Sequence, residues 1–288
     1  MSHVPVLYTP ALEYLAIRPG GTYVDATFGA GGHSRGILER LTTGRLIALD
    51  ADPSASMHVP AHPAFTFVHA NFRELDHVLE ALRVPVIDGI LFDLGVSSMQ
   101  FDQAERGFSF RESAPLDMRM NPQSGRSAYD VLATATEREL ADIFFFYGQE
   151  RSARKIARVI VSRRTVGQLP TTTVELAALI AGLLHRKGER EKIHPATRVF
   201  QALRIAVNDE LDALGEGLHV AIGRLRSAGR VVAISFHSLE DRIVKNAFRS
   251  DERLDVLTKK PIAPSDAEIA ENPRARSAKL RAAERKVS

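Results

Sequence analysis

This 288-residue chain predicts an α/β fold with a parallel, Rossmann-like sheet, on three observations. A β-branched run, Thr22-Tyr-Val24, ends on Asp25 and turns through Gly29, Gly31 and Gly32 into a helical pattern, the layout of a first β-turn-α unit at a ligand-binding sheet edge. Short apolar runs and helical periods then alternate as far as Asp93, and each run closes on a polar residue. From Gly95 the alternation stops and resumes only at Gly229-Arg-Val-Val-Ala-Ile-Ser-Phe236, as an insertion into such a sheet requires.

In order, Val6 to Ile17 has helical spacing and Arg18-Pro-Gly-Gly21 ends it. Thr22 to Ala26 is the first strand, His33 to Leu41 the first crossover helix, and Arg45 to Leu49 a second strand ending on Asp50. Phe65 to Ala70 is the third strand, closing on Asn71-Phe72, and Arg73 to Arg83 is helical. Val86 to Leu94 is the most apolar run and belongs at the sheet centre, with Asp93 at its ligand-bearing end. The long aperiodic stretch from Gly95 to Gly125 predicts a functional loop. Helical patterns follow over Glu137 to Tyr147, Gln149 to Arg164, Val174 to His185, and Thr197 to Arg226 with a break near Gly215. After the strand at Gly229 come His237-Ser-Leu-Glu-Asp-Arg242, a helix over Ile243 to Phe248, and a tail, Asn272 to Arg281, placed as an edge strand. The domain division expected is 1–106 with 207–288 for the cofactor and 107–206 for a helical, substrate-recognising insertion.

The glycine turn distinguishes between two cofactor classes. A dinucleotide fingerprint needs a glycine at the sixth position from Gly29, where Ser34 stands. Asp25 would repel a pyrophosphate and suit an ammonium group, which points to S-adenosylmethionine (SAM); the alternative is that Asp25 only caps the turn. Asp50 stands about twenty residues past the turn, where a strand-end carboxylate meets ribose hydroxyls. Phe72 is placed either beneath an adenine or in the core.

Hydrophobic content of 44% is ample for a packed core. The absence of cysteine excludes disulfides, thiol nucleophiles and thiolate metal sites. No apolar run is long enough to cross a bilayer and Met1-Ser-His-Val-Pro5 is not a leader, so a cytoplasmic protein with no membrane partner is expected. No His/Asp spacing suits a metal. A net charge of +3 and a pI near 9.2 say little in total, but cations concentrate in Gln149 to Arg164 and in Pro273 to Ser288, segments able to meet phosphates or to form solvated faces.

The ordered blocks His3-Val-Pro-Val-Leu7, Thr27-Phe-Gly-Ala-Gly-Gly-His-Ser34, Asp88-Gly-Ile-Leu-Phe-Asp-Leu-Gly-Val-Ser-Ser98, Asp102 to Phe110, Pro115 to Met120, His194-Pro-Ala-Thr-Arg198, Phe200 to Arg204, Ser235 to Arg242 and Asn272 to Ser277 together resemble the bacterial small-subunit ribosomal RNA methyltransferase H family, also called MraW. The resemblance spans almost the whole chain. It implies a class I SAM-dependent methyltransferase sheet with an inserted helical domain, and methylation of the exocyclic N4 of a cytidine in the decoding region of 16S rRNA in the small ribosomal subunit. It implies Gly31, Gly32, His33, Asp50, Phe72, Asp93 and Gln100 as cofactor-binding residues. The stretch Phe248 to Glu271 is shorter than the family pattern, and no functional position is assigned there.

Methyl transfer to a cytosine amine is an in-line displacement whose nucleophile needs a hydrogen-bond acceptor. Asp93, or carbonyls between Leu94 and Ser97, are the catalytic expectation, with Phe101, Phe108 or Phe110 as a stacking surface. Substrate contacts are expected from Asp117, Arg119, Arg198, His237 and Arg274, each with an ion-pair or local hydrogen-bonding role as the alternative. Monomer and homodimer both fit the sequence. Two other functions fit it less well: a methyltransferase on a small molecule or protein, and a ribosome-assembly factor with a vestigial SAM pocket.

Overall fold

The computed structural model describes residues 5–96, 101, 103–184 and 194–287, which fall into two compact units, 1–95 with 211–288 and 96–210. Among the described residues no helix is long and apolar enough to cross a membrane.

The first unit is a seven-stranded sheet in the order β3-β2-β1-β4-β5-β7-β6. Its strands are β1 (Thr22–Asp25), β2 (Arg45–Asp50), β3 (Phe65–His69), β4 (Ile87–Asp93), β5 (Leu225–Ser235), β6 (Leu254–Val256) and β7 (Lys279–Arg285). The first five run parallel, and β7 lies antiparallel between β5 and β6. This is the α/β class expected, and the order reverses between β1 and β4, where open sheets hold ligands.

The strand period of two distributes the core over both faces. Val24, Ile47, Ile90, Phe92 and Val231 pack with Leu79, Leu214 and Leu218. Their strand neighbours Tyr23, Leu46, Leu91 and Val232 pack with Leu12, Leu15 and Ile37 on the other side. β4 is buried along its length until Asp93, as its composition predicted.

The first helix, α1 (Tyr8–Leu15), is shorter than its apolar spacing suggested because Leu7 and Ala16 both take left-handed backbone at its ends. Next come α2 (Gly32–Leu38) and α3 (Leu75–Ala81). The tail strand is not an edge: the segment without expected function supplies the edge, β6, and a short helix whose Glu268 Oε1 accepts the Leu7 amide at 2.6 Å.

The second unit is helical: α4 (Ala128–Thr134), α5 (Glu137–Phe146), α6 (Ala153–Thr165), α7 (Thr173–Leu184) and α8 (Ala196–Asn208). Leu132, Leu140, Phe144, Ile156, Ile160, Leu176, Ile180, Val199 and Leu203 form its core. The expected break at Gly215 is absent. α8 ends at Asp209, whose φ of 51° returns its amide to the Ile205 carbonyl, and α9 (Glu210–Arg224) runs through Gly215, which keeps helical φ in open space. The pattern assigned to helix as far as Arg226 is already strand from Leu225. α4 was not expected, although Ser127 and Asp130 form a capping box at its start. The aperiodic loop is braced by side chains: Arg106 donates to the Arg119 and Met120 carbonyls, and Asn208 spans Met118 O and the Met120 amide.

Candidate functional site

The turn at the carboxyl end of β1 is held by two acids, one buried and one half-buried. Asp25 is 1% exposed; Oδ2 accepts the Ser34 hydroxyl at 2.7 Å and Oδ1 the Thr27 amide at 3.2 Å. Burial pushes its carboxyl above the usual range, against the pull of the Ser34 hydrogen bond. Asp25 is therefore a brace within the turn and is not presented to a ligand ammonium, which corrects that expectation: with no solvent-facing oxygen it closes the loop onto α2. Ser34, nine residues on, was the clue to this role.

Asp50, at the end of β2, grips the same turn from the other side. Its Oδ2 accepts the Gly29 amide at 2.6 Å and its Oδ1 the Asp52 amide at 2.8 Å. Each carboxylate oxygen keeps a lone pair beyond the one used. Burial raises its pKa from 3.8 to about 6, opposed by those two amides, so the fold holds the carboxylate short of hydrogen-bond donors.

Between the two acids, Gly29 and Gly31 take φ of 53° and 73°, where an L side chain is strained. A Cβ on Gly31 would stand 2.8 Å from Phe28 Cε2. Gly32 differs: its Cβ would collide with the Pro5 ring, so its bare backbone makes room for the N-terminal segment.

Asp93 closes the third side at the end of β4, its amide donating to Thr27 Oγ1 at 2.7 Å. Its Oδ2 lies 3.4 Å from Nδ1 of buried His33, which stacks on Tyr8. Burial pushes His33 toward its neutral form, but the hydrogen bond and charge of Asp93 outweigh it and leave the imidazole pKa above its ordinary value. Asp93 Oδ1 and His33 Nε2 are both buried without a hydrogen-bond partner, an arrangement natural proteins keep where a ligand completes it. Phe72 is half-buried, edge-on to Phe92 at 5.7 Å and against Gly217. The turn, the two strand-end carboxylates with acceptor capacity to spare and this ring fit a group bearing vicinal hydroxyls, an aromatic base and a cationic end.

Of the residues expected at the substrate, Asp117, Arg119 and Arg198 belong to the second unit and His237 and Arg274 to the first. Asp117 and Arg119 engage each other through two 2.8 Å bonds, and the guanidinium holds the Asp117 carboxyl below its usual range despite partial burial. Arg198 lies 3.9 Å from Glu150 and is largely exposed. His237 caps α10 (Ser238–Ser250), accepting the Glu240 amide. Arg274 is exposed in a one-turn helix. In the basic tail, Arg281 is buried and paired with Asp241 at 2.7 Å, and Arg285 donates to the Ile222 and Gly223 carbonyls, so these two serve the fold. Phe108 belongs to the helical core and Phe110 packs on Phe200 and His194; Phe108 is not a free stacking surface. Ser97 and Gln100 lie outside the described residues.

Residues 1–286 match the family model described as the MraW methylase family. The chain is 49% identical to "Ribosomal RNA small subunit methyltransferase H" of Carboxydothermus hydrogenoformans, over 99% of this chain and 98% of that one. It is 50% identical to the protein of the same name from Geobacter sulfurreducens, over 99% of each chain, and 51% identical to that from a Cyanothece species, over 98% and 94%. With a model matched over nearly its whole length and relatives at half identity, this chain belongs to the MraW methylase family.

Proposed function

We infer that the chain is a SAM-dependent methyltransferase of small-subunit ribosomal RNA, acting on the exocyclic N4 of a cytidine. The observation that carries the reading is the set of groups at the sheet's carboxyl edge, where Asp50 pins the Gly29 amide and Asp93 keeps a buried, unpartnered oxygen. SAM, when bound, supplies a methyl group activated by the adjoining sulfonium. Asp50 is assigned to its ribose hydroxyls, Phe72 to its adenine, the bare backbone of Gly31 to the approach, and Asp93, oriented by His33, to the cationic methionine end. Gln100, carried over from the family pattern, belongs with Asp93 in this reading.

The chain's own work in the reaction is to align and to dry the site. The cytosine amine is a weak nucleophile because its lone pair is delocalised, so an acceptor must draw on its N–H. Asp93 or carbonyls as far as Ser97 are assigned that role, and Asp93 is already committed to His33 through one oxygen. The insertion, 96–210, is assigned to substrate recognition, acting on 16S rRNA of the small ribosomal subunit in the cytoplasm.

Incubating the protein with SAM and 16S rRNA or small subunits, then digesting the RNA to nucleosides for mass spectrometry, tests the reading. N4-methylcytidine is expected; its absence on every RNA and particle tried overturns the substrate assignment, and absence of SAM binding by calorimetry overturns the enzyme.

A further inference from the structure

The second unit carries a groove of about 520 Å³ lined by Ala141, Asp142, Phe145, Phe146, Ser152, Arg151, Arg154 and Lys155. Three features set its chemistry. Phe145 and Phe146 end α5 with 55% and 60% of their surface in water, ring centroids 5.2 Å apart and nearly perpendicular. Their neighbours Leu140 and Phe144 already fill the core side of α5, so the two rings are surplus to folding, and contiguous exposed aromatic surface marks an interaction site.

Beside the rings stand three exposed cations, Arg151, Arg154 and Lys155. Among the described residues no ion pair engages Arg151 or Arg154, and the groove's only acid, Asp142, faces Arg138 one turn back at 3.9 Å. The cations also sit where the fold gains least from them. α6 opens with no acidic residue in its first turn and no side-chain cap, and positive charge at a helix N-terminus opposes the macrodipole. α4 and α5, by contrast, open on capping boxes with Asp130 and Glu139. Glu150 Oε1 accepts the Ser152 amide at 2.7 Å ahead of the helix, and an anion laid across Arg151, Arg154 and Lys155 would add to that compensation.

Two exposed π-faces beside Arg151 and Arg154, which no ion pair engages, and Lys155, which donates to the Leu183 carbonyl at 2.9 Å and has no carboxylate partner among the described residues, is the combination that binds single-stranded nucleic acid: bases stack on the rings while phosphates follow the charges. We propose that the groove formed by Phe145, Phe146, Arg151, Arg154 and Lys155 is a single-stranded RNA-binding surface, which grips rRNA away from the methylated cytidine. The inference rests on the rRNA reading given above for its biological ligand. An apolar protein partner would have no use for the cations, and a second copy of this chain would bring the same positive charge against itself.

The test uses the full-length protein and a fluorescein-labelled oligouridylate of about ten nucleotides, which offers no cytidine to the catalytic hollow. Anisotropy gives the Kd and its salt dependence for the wild type, for Phe145→Ala/Phe146→Ala and for Arg151→Gln/Arg154→Gln. All four positions are exposed, and a retained melting temperature and SAM affinity mark the variants as folded. The aromatic variant is expected to weaken binding about tenfold or more. The arginine variant is expected to weaken it and to flatten the slope of log K against log salt by about 1.4. Wild-type affinity and slope in both variants overturn the proposal, as does a wild type that does not bind the oligomer. If the aromatic variant turns a dimer into a monomer in sedimentation while oligomer affinity is unchanged, the face is a self-interface and the proposal falls. Methyl transfer to rRNA by the wild type reports separately on the function itself: its failure with oligomer binding intact removes the rRNA substrate and leaves the groove standing.

Discussion

Asp50 Oδ2 lies 2.6 Å from the amide of Gly29, joining the end of β2 to the turn that leaves β1. One carboxylate thus holds the glycine bend in shape and keeps further lone pairs for a ligand at the strand end. Asp50→Ala should weaken SAM binding by about ten- to a hundredfold, the range for losing hydrogen bonds to a charged acceptor. Asp50→Asn, which keeps an acceptor for Gly29 but turns one oxygen into a donor, should fall between. Isothermal calorimetry distinguishes them.

The same carboxylate makes a pH prediction. Its pKa is about 6 in the folded chain against an ordinary 3.8, so between those values the native state binds the extra proton. Its contribution to stability is therefore complete at low pH and lost as pH rises through about 6, and the ligand-free melting temperature of Asp50→Asn should depend less on pH over that window. Ribose hydroxyls donate to the carboxylate, so SAM affinity should run the other way, falling as pH drops below about 6. Calorimetry on both sides of that value checks the sign.

Gly31 and Gly32 should fail for different reasons. Gly31→Ala meets both a left-handed φ and the Phe28 ring, and should cost about 1–3 kcal/mol of stability as well as SAM affinity. Gly32→Ala meets Pro5, so Pro5→Ala should rescue it and leave Gly31→Ala unrescued. A double-mutant cycle by denaturant unfolding measures the difference.

The His33 imidazole is held above its ordinary pKa by Asp93 against the effect of its burial. Asp93→Asn removes the charge and weakens the 3.4 Å hydrogen bond, so burial gains weight and the His33 pKa should fall, against the remaining pull of the Asp25 charge. Because the raised pKa belongs to the folded state, the stability this pair adds is lost as pH rises through it, and that loss should vanish in the variant. NMR titration of the ring reads the first effect and thermal melts the second. If Asp93→Asn also keeps wild-type SAM affinity and single-turnover rate, Asp93 has no part in binding or chemistry.

The basic tail should divide by burial. Arg281, 7% exposed and paired with Asp241 at 2.7 Å, should lose about 1.5–3 kcal/mol on mutation to Gln, since the partly buried carboxylate then keeps only Lys279, at 3.4 Å. Arg274→Gln, at the surface, should lower RNA affinity more at low salt than at high salt.

The sheet was legible because its strands are local, apolar and punctuated: Thr22 to Asp25, Arg45 to Asp50 and Ile87 to Asp93 announce both their burial and the ends that carry acids. The placement of Asp50 and Asp93 at one edge followed from that pattern, since parallel strands bring their carboxyl ends together. What each acid does there was not legible. Asp25 and Asp50 are both strand-end aspartates after β-branched or apolar runs, yet Ser34 and the Thr27 amide enclose the first while two backbone amides leave the second with capacity to spare. The same limit applied to the cations, since Arg281 and Arg151 read alike in sequence and only packing buries one and leaves the other in water. Periodicity reports which face of an element is apolar; the partner of a polar group is set by residues distant in the chain, so tertiary structure alone decided which charges hold the fold and which remain for a ligand.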